Sequence, residues 1–169
     1  MVLLENDGVL PLQGKGKIAL YGNGVRKTIQ GGTGSGSVNT RRATNVEQGF
    51  EEAGFTVVTK DWLDANDKHY VEMQDAYQKW LVEEGERTHV PPFIVGFNHP
   101  FAEPAPYEIT EEEITACDAE VAVYVISRNS GEGADRKCKE GDFLLYDSEL
   151  ESIRRLAVSY THLTLPTIA

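Results

Sequence analysis

Basic residues, cysteines and long apolar runs are all scarce in this sequence. Lys and Arg number 16 against 27 Asp and Glu, a formal net charge of −11. Such a surface repels phosphate backbones, which excludes nucleic acid as a partner. No apolar run approaches the ~18–20 residues needed to cross a bilayer, which excludes a membrane span. Two cysteines, Cys117 and Cys138, supply neither a disulfide framework nor a four-cysteine metal site. His69, His89, His99 and His162 show no metal-ligand spacing, so no metal is expected. Met1 is followed by no basic lead and no long apolar stretch, so no secretory leader is expected and the reading leans to the cytoplasm. Between Arg87 and Arg128 there is no Lys or Arg at all. Glu103, Glu108, Glu111, Glu112, Glu113, Asp118 and Glu120 crowd that stretch, which reads as a solvated acidic face.

What is present suits one globular domain or part of a larger one. The 169 residues are 40% hydrophobic and 25% charged, near the average for folded chains. Lys17–Tyr21 is a short apolar run ending in Gly22, the pattern of a buried strand. Thr44 or Asn45 can cap a helix from Val46 to Ala53, with Gly54 as its stop. Phe55–Thr59 is a β-branched strand. Strand, glycine loop, helix and strand make one βαβ unit, which requires a parallel sheet. Asp61 opens a longer helix, with Tyr70, Met73, Tyr77, Trp80 and Leu81 on one packing face and Gly85 as its end. Thr88–Tyr107 holds five of the seven prolines and reads as irregular. Thr110 and Glu113 form a capping box for a short helix. Ala119–Ile126, apolar on both faces, is expected in the middle of a covered sheet. Ser148–Ala157 has a helical pattern, and residues 158–169 are expected to be a tail foreign to the domain, leaving 1–157 as the domain itself.

Three glycine-rich segments carry the candidate chemistry. Gly22-Asn23-Gly24-Val25-Arg26-Lys27 begins as a dinucleotide fingerprint, but Lys27 stands where the third small residue belongs. No window supplies a P-loop. A tight turn is the better reading, and no cofactor is expected. Gly32, Thr33, Gly34, Ser35 and Gly36 lie between a strand and a helix, where parallel sheets place ligands. Their backbone can approach a ligand closely. Glu132 stands between Gly131 and Gly133 just past the Val121–Ile126 strand, unshielded by neighbouring side chains. Arg128, Asp135 and Arg136 surround it with charge that can tune its pKa, as a general acid/base requires. A solvated turn with surface ion pairs is the plainer alternative for any single Glu. The same holds for Cys138, where Lys137 and Lys139 favour a thiolate but no His lies near, and a plain thiol is expected.

Taken in order, Val2–Leu12, Gly31–Asn39 and Ser127–Arg136 resemble the α/β-sandwich domain of family 3 glycoside hydrolases, the β-glucosidase family. The resemblance runs from about Met1 to Ala157. Two positions depart from it: Glu5 stands where the family often has Lys, and Ser37 where it often has Asp. Ser37 removes a carboxylate beside the glycine loop, which puts in doubt any ion pair that relatives make there.

The resemblance implies a retaining exo-glycosidase built from two domains. A (β/α)8 barrel domain, absent here, would carry an Asp nucleophile, and this sandwich would supply Glu132 as acid/base. Arg128 and the Gly32–Gly36 segment would bind substrate, a β-linked oligosaccharide or glycoside. The implied fold is α/β, a mostly parallel sheet flanked by helices, here truncated. The isolated chain would be inactive, because a retaining mechanism needs two carboxyl groups ~5–5.5 Å apart. A non-catalytic sugar- or nucleotide-binding module is the rival from another class, and an inactive relative is a third reading.

Overall fold

The computed structural model describes residues 2–13, 15–29, 31, 41–129 and 135–160, and the backbone of 164–167. Among these, ten elements follow in order: β1 (Val2–Asn6), β2 (Lys17–Tyr21), α1 (Val46–Glu52), β3 (Thr56–Val57), α2 (Lys60–Thr88), α3 (Pro92–Asn98), α4 (Glu111–Ala116), β4 (Val121–Tyr124), α5 (Asp147–Ser159) and β5 (Thr164–Thr167). β3, β2 and β4 form a parallel sheet in that order, and β1 pairs with β5 as a separate antiparallel ribbon. The architecture is the expected α/β sandwich, with helices packed on a mostly parallel sheet.

β2 is the middle strand. Ile18, Ala19, Leu20 and Tyr21 are all buried, and each faces a β4 partner from Val121 to Tyr124. Every side chain is apolar or aromatic because both faces are covered. β4 was expected in the middle but lies at the edge of the described sheet, and its residues are half-buried. An apolar run covered on both faces does not encode how many neighbours a strand has. β3 is shorter than the Phe55–Thr59 expectation because its far end pairs through a side chain. Val58 N–H still donates to Ile18 C=O at 3.1 Å, but at Leu20 the Thr59 hydroxyl takes over, accepting from the N–H at 2.9 Å and donating to the C=O at 2.7 Å.

The helix signals are local and mostly realised. Asn45, not Thr44, caps α1 in a capping box with Gln48. Thr110 and Glu113 form theirs at α4. Gly85 does not end α2; the helix continues to Thr88 and closes on His89, which adopts φ 58°. Gly85 is required for another reason: a Cβ there would stand 2.9 Å from Val90 C=O. The chain turns back over Gly85 into Pro91-Pro92, and α3 forms inside the segment expected to be irregular. Proline suits that first turn, which has no use for its missing N–H. The α2 stripe packs in part: Tyr70 and Tyr77 both meet Phe101, Tyr77 stacks on Trp80 and Leu81 is buried, while Met73 and Trp80 remain exposed.

α5 is clamped to the chain before α4. Ser152 accepts from Ile109 N–H at 3.0 Å, Arg155 donates to Ile109 C=O at 2.7 Å, and Leu156 enters the core. This fixes the first turn of α5, with Glu149, beside the carboxyl end of β4.

Candidate functional site

The carboxyl ends of β2 and β4 lie side by side, and the turn after β2 is shaped by that contact. Gly22 has φ +94°, and a Cβ there would lie 2.3 Å from Val125 C=O. A Cβ on Gly24 would lie 2.6 Å from a Val125 methyl group. The glycines that imitate a dinucleotide fingerprint therefore serve close approach between neighbouring strands. Gly24 N–H donates to Val125 C=O at 3.0 Å, and Val125 N–H donates to Tyr21 C=O at 2.8 Å.

Asn23, held between these glycines, grips the next peptide along. Its Oδ1 accepts from Ser127 N–H at 2.9 Å and its Nδ2 donates to Ser127 C=O at 3.2 Å. Arg128 adds a second donor to the same carbonyl at 2.9 Å. Its other terminal nitrogen pairs with Glu149. Arg128 is 12% exposed and Glu149 0%. Glu149 also accepts from Tyr146 N–H at 2.9 Å, closing the first turn of α5. Around the pair, Arg128 Nε, Glu149 Oε1, Tyr124 Oη and Ser148 Oγ are buried without a hydrogen-bond partner. Burial, helped by the charge of Glu149, pushes the Tyr124 hydroxyl well above the usual tyrosine range. Burial likewise raises Tyr146, over whose ring the Arg128 guanidinium lies 5.6 Å from the centroid.

On the β2 side, Arg26 meets three carboxylates: Glu47 in a two-bond fork at 2.6 and 3.2 Å, Asp64 at 2.6 Å and Asp67 at 3.0 Å. The Glu47 fork is the main cause of its raised pKa. Lys27 lies over the Tyr70 ring, 2.9 Å from its centroid, and burial lowers its pKa. Both basic residues border a cavity of about 30 Å³ shared with Asn66, His69 and Glu103, room for about one water. His69 stacks on Tyr107 at 4.9 Å.

Glu132 and Gly32, Thr33, Gly34, Ser35 and Gly36 lie outside the described residues. Arg128 lies within them, at the root of the Glu132 loop, with both terminal nitrogens engaged. Its terminal nitrogens bond Ser127 C=O and Glu149, while its Nε–H has no partner among the described residues. Arg136 donates to Asp142 C=O at 3.3 Å, and Asp135 is exposed. The Asp142 carboxylate accepts from Lys137 N–H at 2.8 Å, holding the far end of the segment. Sequence reasoning passed over Asn23 and Glu149. Asn23 was legible as a polar side chain between glycines at a strand end. Glu149 looked like an ordinary acid at a helix start, where the helix dipole favours it. Nothing in its neighbours announces complete burial.

The family described as "Glycosyl hydrolase family 3 C-terminal domain" matches over residues 1–164. The chain is 28% identical over 170 residues to a β-glucosidase of Ruminococcus albus, covering 97% of this chain and 16% of that protein. It is 34% identical over 139 residues to β-glucosidase A of Butyrivibrio fibrisolvens, covering 81% of this chain and 14% of that protein. β-Glucosidase 3B of Thermotoga neapolitana, solved in complex with α-D-glucose, superposes with a TM-score of 0.64 at 34% identity, over 95% of this chain and 20% of that one. The chain thus spans about a sixth of the curated relatives' length and a fifth of the solved enzyme's. Sequence and fold agree, and the chain belongs to the glycosyl hydrolase family 3 C-terminal domain family.

Proposed function

We propose that the chain is part of a retaining, exo-acting glycoside hydrolase of the β-glucosidase kind. In this reading it supplies Glu132 as acid/base, and the nucleophile Asp resides on a separate (β/α)8 barrel domain. The carrying observation is the family match across a chain whose Ser127–Arg136 segment springs from the carboxyl end of a parallel strand, where such sheets host ligands.

The chemistry follows from two carboxyl groups in opposite protonation states. Glu132, protonated, gives its proton to the glycosidic oxygen as the aglycone leaves. The barrel Asp attacks the anomeric carbon and forms the glycosyl–enzyme. Glu132, now ionised, takes a proton from water, whose oxygen displaces the Asp and releases the sugar. The backbone of Gly32–Gly36 and the Arg128 side chain are assigned to a β-linked glycoside substrate. The barrel pocket selects the sugar.

Changing Glu132→Gln in the full-length enzyme tests the assignment. General acid catalysis contributes ~10²–10⁴-fold, so hydrolysis of glycosides with poor leaving groups should fall by that much. Activated aryl glycosides should retain the first step, and azide should partly restore their turnover by replacing water as nucleophile. Unchanged hydrolysis of poor leaving groups overturns the reading. The isolated chain should hydrolyse neither class.

A further inference from the structure

Asn23, we infer, is a positioning residue: with Arg128 held by Glu149, it fixes the Ser127 peptide, from which the Glu132 segment leaves the sheet. This rests on the acid/base reading above. Ser127 is gripped on both its backbone polar groups, and its hydroxyl donates to Lys27 C=O at 3.4 Å. Asn23 takes its N–H at 2.9 Å and gives to its C=O at 3.2 Å, while Arg128 gives to that same C=O at 2.9 Å. Neither gripping group is free to wander. Asn23 sits between Gly22 and Gly24, which are locked against Val125. Arg128 is held by a wholly buried Glu149 on a helix that Ser152 and Arg155 clamp to Ile109.

The strand ladder itself does not reach Ser127. β4 ends at Tyr124, so Ser127 lies past the last strand pairing and needs a side chain to substitute for one. Glu132 is five residues farther on. A catalytic group tolerates only ~0.5 Å of misplacement, so the peptide from which its segment departs must itself be fixed. The other end offers a weaker hold, since Lys137 N–H and the Asp142 carboxylate meet at an exposed turn. Ser127 is therefore the fixed end of the segment.

The test has two arms. In the chain itself, hydrogen exchange is compared between wild type, Asn23→Ala and Asn23→Asp. Asn23→Ala should speed exchange at Ser127 at least tenfold while Leu20 and Val58 amides in the sheet stay unchanged. Asn23→Asp keeps the acceptor and should keep Ser127 protected. In the full-length enzyme, Asn23→Ala should lower kcat tenfold or more for glycosides with poor leaving groups, with KM little changed. Activated glycosides should stay within about twofold, a split that loss of overall stability does not produce. Equal losses on both substrate classes, beside a Glu132→Gln enzyme that does show the acid signature, overturn the inference and leave the function standing. If Glu132→Gln lacks that signature, the function falls instead. Unchanged Ser127 exchange in Asn23→Ala overturns the grip whatever the kinetics.

Discussion

Two arginines follow two neighbouring parallel strands, and they are held in opposite ways. Arg26, beyond β2, divides its donors among Glu47, Asp64 and Asp67, whose side chains are 10%, 67% and 40% exposed. Arg128, beyond β4, depends on one carboxylate that no solvent reaches. Water can replace a partner of Arg26 and cannot replace the partner of Arg128. The first arrangement tolerates loss of a member, and the second does not. The difference also tracks location, since Arg128 stands at the root of the segment that carries Glu132, while Arg26 ties α1 and α2 to the turn after β2.

Breaking the buried pair should have the largest effect. Glu149→Leu leaves a guanidinium buried without its counter-charge and should cost about 3–5 kcal/mol, read as a lowered urea midpoint. Arg128→Met should cost a similar amount for the mirrored reason. The double variant Arg128→Met, Glu149→Leu should recover most of the loss, because two apolar side chains of similar volume remove both charges together. A double variant as unstable as the singles would show that the pair holds α5 and β4 together by more than cancelling its own burial.

Gly22→Ala comes next. The position combines φ +94° with a Cβ 2.3 Å from Val125 C=O. Left-handed backbone costs roughly 1–2 kcal/mol for an L side chain, and relieving the clash means moving β4 away from β2, roughly 1–3 kcal/mol more. A total of about 2–5 kcal/mol is expected, with Ser127 exchange accelerated as well, because Asn23 moves with the turn. Gly8→Ala shares a positive φ of +106° but meets nothing within 4 Å. It should show the strain without the clash, and the difference between the two measures the contact.

The sheet and the helix caps were legible because their causes are local. An apolar run of the right length, Lys17–Tyr21, has few alternatives, and Asn45 with Gln48 or Thr110 with Glu113 carry both halves of a cap within four residues. Gly85 misled because glycine marks a helix end and a close approach equally well, and here Val90 and Pro92 lie over it. The grip on Ser127 was not legible, since residues 23, 127 and 149 are brought together only by the strand order β2–β4 and the docking of α5. The segment that bears Glu132 was readable as a pattern, while its anchor required the fold.

Tyr124 sharpens the comparison through pH. Its hydroxyl is buried beside Glu149 with no hydrogen-bond partner, so Tyr124→Phe should change stability at pH 7 by less than about 1 kcal/mol, in either direction. The folded protein holds that proton more tightly than the unfolded chain does, because burial and Glu149 raise the pKa. The contribution of neutral Tyr124 is therefore complete below the ordinary tyrosine value of about 10 and is lost as pH rises towards the folded value. Above about pH 10, the wild type should lose stability relative to Tyr124→Phe. Parallel pH curves would mean that the site near Glu149 is wetter than its burial indicates.

The smallest effect belongs to the arm of Arg26 nearest solvent. Asp64→Asn removes one of three carboxylates at a position 67% exposed, and exposed ion pairs contribute ~0.2–1 kcal/mol. Arg26 keeps its two-bond fork with Glu47 and its contact with Asp67. A change within about 0.5 kcal/mol is expected, shrinking further as salt screens the remaining charges. Glu47→Gln should cost more than Asp64→Asn and should be less sensitive to salt, because Glu47 is buried and forms the fork. If Asp64→Asn matched Glu149→Leu, the contrast between a divided and a single partner would collapse, and burial would no longer explain why one arginine is replaceable and the other is not.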